Sequence, residues 1–168
     1  PRVNILQPGP GVGGHCISVD PWFLVGDYPR LAKVIDESMK TNDSQPEFVL
    51  NRIHEIMKEN NIDNNRKVGL YGLTYKENVD DYRESPTLQM LELQERHLAR
   101  PLKCYDPFLI GHKIAENQYD DFDEFLADVD LVVIMVKHDH IKQNWNKIKG
   151  KVILDCFNIC PLEGVYHI

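Results

Sequence analysis

The apolar positions of this chain change their period part-way along it. From Pro29 to Asn60 they recur at helical spacing, with Leu31, Val34, Ile35 and Met39 on one face and Phe48, Val49, Ile53, Ile56 and Met57 on another. Pro46 falls where a helix can begin, since its missing N–H costs nothing in a first turn. Asn60 to Asn65 is a polar break. Beyond it the apolar residues gather into short continuous runs: Lys67–Leu73, Leu102–Asp106, Leu131–Val136 and Lys151–Asp155. Runs without alternation are what strands covered on both faces look like, and parallel sheets are built of them. Between the runs, Ser85 to about Ala99, Asp123–Ala127 and Asn144–Ile148 read as helices. Strand and helix in alternation predict an α/β fold, a Rossmann-like doubly wound parallel sheet preceded by a helical segment. The expected division is 1–62 and 63–168, with residues 1–24, rich in Gly and Pro, read as irregular.

Composition narrows the setting. The chain has 168 residues and a formal net charge of −7, so it is not drawn to nucleic acid or to an anionic membrane surface. No apolar run approaches the roughly 20 residues that cross a bilayer, and no leader is visible. Four cysteines (Cys16, Cys104, Cys156, Cys160) form no paired framework, which suits a reducing, cytoplasmic setting. No metal site is expected: Cys156 and Cys160 have only His167 near them and read as small buried thiols at a strand end. The chain opens on Pro1, and its first residues read as the interior of a longer sequence.

Gly9-Pro10-Gly11-Val12-Gly13-Gly14 matches the letters of a dinucleotide fingerprint. The fingerprint needs a strand before it and a helix opening after it. Here Pro8 and Pro10 interrupt the approach, Cys-Ile-Ser-Val-Asp-Pro follows, and Asp36, at the right spacing for a ribose contact, falls in a predicted helix. Glycines also let backbone N–H groups approach a ligand closely, and Cys16 directly after them would face it, with the Asp20 carboxylate four residues on. From these residues alone Cys16 reads equally as a nucleophile and as a structural thiol. Lys76 reads as a surface lysine, and Arg83 as a partner for Asp80, Asp81 or Glu84. His138-Asp139-His140 follows a strand end, where α/β folds bind ligands, and otherwise reads as a solvated loop.

Two stretches together carry a resemblance. Gly9-Pro10-Gly11-Val12-Gly13-Gly14-His15-Cys16-Ile17-Ser18-Val19-Asp20-Pro21, and Gly72-Leu73-Thr74-Tyr75-Lys76 continuing to Asp80-Asp81-Tyr82-Arg83-Glu84-Ser85-Pro86, resemble the UDP-glucose/GDP-mannose dehydrogenase family in order and in spacing. The first is similar to the branch that oxidises UDP-N-acetylhexosamines, UDP-N-acetylmannosamine above all. Val19 stands where UDP-glucose enzymes carry a lysine. The resemblance implies a C6 alcohol oxidised to the acid with two NAD through a cysteine thioester, for capsule or surface polysaccharide, in a homodimer joined by central helices. It implies Cys16 as nucleophile and Asp20 as the carboxylate that positions water. Arg2, Gly13, Tyr75 and Lys76 would contact the UDP-sugar, and Arg83 the NAD. Residues 1–62 would hold the catalytic loop and dimerisation helices, and 63–168 the UDP-sugar domain. The NAD domain would lie outside this chain, which alone would be inactive. Phe157 stands where many members carry Arg or Lys against the nucleotide. UDP-N-acetylglucosamine or UDP-glucose as substrate, or a non-catalytic nucleotide-binding module, are the competing readings.

Overall fold

Val68–Tyr71 (β1) and Leu131–Ile134 (β4) are buried at every position, as unbroken apolar runs between helical layers should be. In the computed structural model, which describes residues 7–96 and 102–168, they pair in parallel at the centre of a six-stranded sheet. Lys103–Tyr105 (β2) lies beside β1, and Gln118–Tyr119 (β3) forms that edge. Val152–Asp155 (β5) lies beside β4, and Tyr166–His167 (β6) closes the other edge. Every pairing is parallel and the order is β3-β2-β1-β4-β5-β6. The chain thus winds outward from β1 to β3 and then restarts at β4 on the other side of β1. The α/β doubly wound architecture expected from the pattern is present, and its topological switch lies between the carboxyl ends of β1 and β4.

Asp20–Asp27 (α1), Lys33–Glu59 (α2), Pro86–Arg96 (α3), Phe122–Ala127 (α4), Asp139–Gln143 (α5) and Trp145–Ile148 (α6) are the helices of the described residues. Three differ from expectation, α5 because its first residues were expected in a solvated loop. Residues 20–24, expected to be irregular, open a helix that runs to Asp27, with Asp20 in the first turn, where a carboxylate suits the helix dipole. The expectation that no helix opens after Cys16 is therefore wrong. Pro46 does not start a helix: α2 runs through it for 27 residues. A proline inside a helix withholds one N–H and costs about 3 kcal/mol or more. Its burial among Val49, Leu50 and Ile53 offsets that, each fully buried aliphatic side chain contributing roughly 1.5–3 kcal/mol.

The two halves of α2 live in different surroundings. Val49, Leu50, Ile53, Ile56 and Met57 join Leu70, Leu131, Val133 and Met90 in one core, so the second half is part of the sheet domain's interior. In the first half only Met39 is buried, and Val34 is 80% exposed. Leu31, just before the helix, is 84% exposed, and Phe23 on α1 is 67% exposed. On the other face of the sheet, Tyr71, Tyr105, Phe122, Phe125 and Val132 make a second, aromatic core. Gly69 is needed there, since a Cβ would stand 2.5 Å from the Phe125 ring. No helix among the described residues is long and apolar enough to cross a membrane.

Candidate active site: the glycine loop and the β1 exit

The glycine loop is held by its neighbours, and three of them dictate its glycines. A Cβ on Gly13 would lie 2.3 Å from the Glu84 carbonyl and 2.9 Å from Tyr75 Cβ. Gly14, at φ +91°, sits against the Tyr75 ring, and its N–H donates to the Arg83 carbonyl at 3.0 Å. Gly11, at φ +130°, sits against Pro86, the first residue of α3. From the other side Asn42 of α2 clamps the loop: Val12 N–H donates to its Oδ1 at 2.7 Å, and its Nδ2 donates to the Val12 carbonyl at 3.1 Å. Four residues on, Pro46 has no N–H for the Asn42 carbonyl, so the helix is short of one internal bond where the loop docks. Nothing in the sequence signalled Asn42.

The loop then turns into α1. Val19 and Asp20 N–H donate to the Cys16 carbonyl at 3.0 and 2.8 Å, and the Ser18 hydroxyl donates to the Gly14 carbonyl. Cys16 and Asp20 are both exposed, one turn apart. The second stretch forms the wall opposite. Tyr75 N–H donates to the Asp81 carbonyl at 3.0 Å, which closes residues 75–81 into a loop. Arg83 grips Asp81: Nε donates to both carboxylate oxygens at 3.0 and 3.1 Å, and one terminal nitrogen donates to Oδ2 at 2.6 Å. This ion pair holds the Asp81 carboxyl down at about 2 and the Arg83 guanidinium above its ordinary value. His15 adds to the first shift, and Tyr75 and Cys16 add to the second. Of the partners the sequence offered Arg83, Asp81 is the one taken. Lys76 is exposed and makes no ion pair among the described residues.

A cleft of about 400 Å³ opens where the glycine loop, α2 and the β5 exit meet, lined by Gly9, Gln45, Phe48, Asp155, Phe157 and Asn158 among others. Asp155 is fully buried and accepts from Phe157, Ile159 and Cys160 N–H at 2.9, 2.6 and 2.7 Å, which shapes the turn carrying Phe157. The Phe157 ring lies against Gly9, where a Cβ would stand 2.8 Å from it, and the Lys137 ammonium is 5.3 Å from the ring centroid. Cys156, just before, is buried and its thiol is pushed up by that burial; Cys104 is pushed up to about 12 for the same reason. Among the described residues no group of acidic, His and Cys side chains forms a metal-binding cluster.

Gly13, Tyr75, Cys16 and Arg83 are thus brought together, Asp20 follows Cys16 by one turn, and Lys76 adjoins Tyr75. Arg2 lies outside the described residues. The solvated-loop reading of His138-Asp139-His140 is overturned. His138 is fully buried against Asp106, and His140 stacks on Tyr71 with centroids 6.0 Å apart. Burial lowers the His140 pKa.

Residues 69–161 match the UDP-binding domain of the UDP-glucose/GDP-mannose dehydrogenase family, and residues 1–44 match its central domain. The chain belongs to that family. It is 42% identical to the UDP-N-acetyl-D-mannosamine dehydrogenase of Methanocaldococcus jannaschii, over 97% of this chain and 38% of that one. It is 32% identical to the NDP-N-acetyl-D-galactosaminuronic acid dehydrogenase of Ralstonia nicotianae, over 92% of this chain and 37% of the relative. The solved UDP-D-ManNAc dehydrogenase of Pyrococcus horikoshii superposes with a TM-score of 0.75 at 30% identity, over 99% of this chain and 40% of that one. This chain therefore spans under two-fifths of the length of these curated relatives. Within the family, the central-domain match ends inside α2 and the UDP-binding match begins at Gly69 of β1.

Proposed function

We propose that this chain is the thiol-bearing and UDP-sugar-binding part of an NAD-dependent UDP-N-acetylhexosamine 6-dehydrogenase, with UDP-N-acetylmannosamine the favoured substrate. The reading makes the product a uronic acid for capsule or surface polysaccharide. The observation that carries it is the docking of the exposed Cys16 loop onto the Tyr75–Pro86 loop at Gly11, Gly13 and Gly14. Together with the family membership and the 42% identity to a UDP-N-acetyl-D-mannosamine dehydrogenase, it favours the acetamido-sugar over the glucose reading. The cleft beside Phe157 suits a flat nucleobase, since it offers an aromatic face and amide side chains. The glycine loop leads from that cleft at Gly9 to Cys16.

The described residues form no strand–glycine–helix cradle for a dinucleotide: no described strand leads into the glycine run, and His15 to Val19 separate it from α1. NAD, bound on a part of the protein outside this chain, would take up one hydride at each of two oxidations, with Arg83 as this chain's contact to it. The chain's own chemistry is that of a thiol. After the first oxidation of the C6 alcohol, the Cys16 thiolate adds to the aldehyde carbonyl and the oxygen takes a proton. Oxidation of that adduct leaves a thioester on Cys16. Water, held by Asp20, attacks the thioester carbon, breaks the C–S bond and frees carboxylate and thiol. Lys76 and the Gly13 backbone hold the sugar diphosphate. Exposed Phe23, Leu31 and Val34 support a homodimer through the central helices, since apolar faces of this kind are covered in working proteins. A monomeric mass in light scattering at micromolar concentration would refute that pairing.

The test is turnover by the whole protein with UDP-N-acetylmannosamine, UDP-N-acetylglucosamine and UDP-glucose. The first should reduce NAD and the Cys16→Ser variant should form no acid. Acid formation by that variant at the wild-type rate removes Cys16 from the role. Nucleotide binding without turnover on any of the three leaves a non-catalytic binding module.

A further inference from the structure

At the topological switch, where doubly wound folds leave a crevice for ligand, this protein has filled the crevice with its own side chains. Asp106, at the exit of β2, and His138, past the exit of β4, are both 0% exposed. Asp106 Oδ1 accepts from Phe108 N–H at 2.8 Å, and Oδ2 accepts from Leu73 and Thr74 N–H at 2.6 and 3.1 Å. His138 Nδ1 accepts from Asn78 N–H at 2.9 Å. That bond fixes the imidazole, since a nitrogen that accepts carries no proton, so the hydrogen is on Nε2. Nε2 lies 3.3 Å from both Asp106 Oδ2 and Thr74 Oγ1, and both can accept from it. The Thr74 hydroxyl is then free to donate onward, and it donates to the Lys76 carbonyl at 2.9 Å.

The network holds residues 73–78 from both ends. Asn78, at φ +59°, also accepts from Asp139 N–H through Oδ1 and donates to the Asp139 carboxylate through Nδ2, each at 3.0 Å. The segment so fixed is the one that presents Tyr75 to Gly13 and Gly14 and leaves Lys76, next to Tyr75, exposed to solvent. A dense tie beneath an exposed, unpaired lysine is wasted on surface packing. It is useful if the ammonium must meet a ligand at a fixed distance from the thiol.

We propose that His138 is a positioning residue: as the Nε2–H imidazole, it fixes through Asn78 where Lys76 meets the sugar diphosphate. This deepens the function proposed above and rests on Lys76 touching the substrate. Two substitutions divide the imidazole's duties. His138→Asn keeps an acceptor near the Nδ1 position and gives up the contacts with Asp106 and Thr74. His138→Gln keeps a donor near the Nε2 position and leaves Asn78 N–H without its acceptor.

Calorimetric titration with UDP-N-acetylmannosamine, paired with amide hydrogen exchange and thermal unfolding, separates the outcomes. His138→Gln should weaken binding about 10-fold or more and speed exchange at Asn78, while His138→Asn stays within about 3-fold on both counts. In a Lys76→Ala background the His138→Gln change should no longer alter affinity, because the group it positions is gone. Equal Asn78 exchange in the two variants, or affinity losses that follow Tm and persist without Lys76, would overturn the proposal. If wild type binds no nucleotide sugar while exchange at Asn78 still differs between the variants, the functional reading fails and the fixing of the loop by His138 stands.

Discussion

Two polar regions of this molecule sit a few residues apart along the Tyr75–Pro86 loop and are built oppositely. Asp106, His138 and Thr74 are buried, the side-chain polar atoms of all three are partnered, and the protein has closed the crevice that its topology opens. Around Cys16 the side chains are more exposed, and most of the order comes from the backbone: glycines pressed against Tyr75, Glu84 and Pro86, a carbonyl capping the start of α1, and main-chain groups of the loop held by Asn42 and Ser18. The first region spends side chains to make a fixed floor. The second keeps its side chains free and lets steric contact place them. On the proposed function the Cys16 thiol must reach a substrate and so has to be exposed, which leaves its position to its neighbours' shapes.

If that contrast is right, the most damaging change at the Cys16 side is steric. Gly13→Ala drives a methyl into the Glu84 carbonyl, so the loop must lift. Displacements near 1 Å cost about 10²-fold in rate, and steady-state kinetics should show that loss in kcat, with Tm nearly unmoved because the loop contributes nothing to either core. A Tm drop as large as that of a core truncation would erase the distinction between the two regions. A smaller effect is expected of Asn42→Ala, which removes two exposed hydrogen bonds to Val12, each worth about 0.5–1.5 kcal/mol. It should lower kcat/KM by roughly 10-fold and leave α2 helical by circular dichroism.

The smallest effect belongs to the ion pair between the regions. Asp81 is held at about 2 in the folded protein by Arg83, below its ordinary carboxylate value of 3.8. A carboxyl lowered by folding contributes stability above its unfolded pKa and loses it as pH falls toward the folded one. Wild type should therefore lose a little stability between about pH 4 and pH 2 that Asp81→Asn does not lose, measured as the difference in urea midpoints. Both groups are solvent-exposed, so the difference will be slight, and parallel curves would show that the pair orders the loop without stabilising it.

The fold was legible where burial is two-sided and long enough to leave a run. The four-residue strands Val68–Tyr71 and Leu131–Ile134 could be read directly. Two-residue edges such as Gln118–Tyr119 and Tyr166–His167 have no period to read. Helix α1 was hidden because none of its residues is buried, and amphipathicity is the signal that was sought. Pro46 misled because its cost as an interior residue is offset by tertiary packing that no local pattern records. At the site, Cys16, Gly13, Tyr75 and Arg83 were legible only as parts of a long resemblance. Asn42 and Asp106 were not, because their roles depend on contacts 30 or more positions away along the chain. His138 reads as loop in the sequence because an Asp and two His in a row look hydrophilic, and only the tertiary structure shows which of them is buried.

Helix α2 has a mechanical meaning. Its 27 residues make a rod about 40 Å long. One half is cast into the sheet domain and the other stands clear of it, with Asn42 gripping the glycine loop between them. A tilt of one degree at the embedded end would swing the far tip by roughly 0.7 Å over such a length. Whatever seats on the free half is therefore geared to the thiol loop, as a lever is to its pivot.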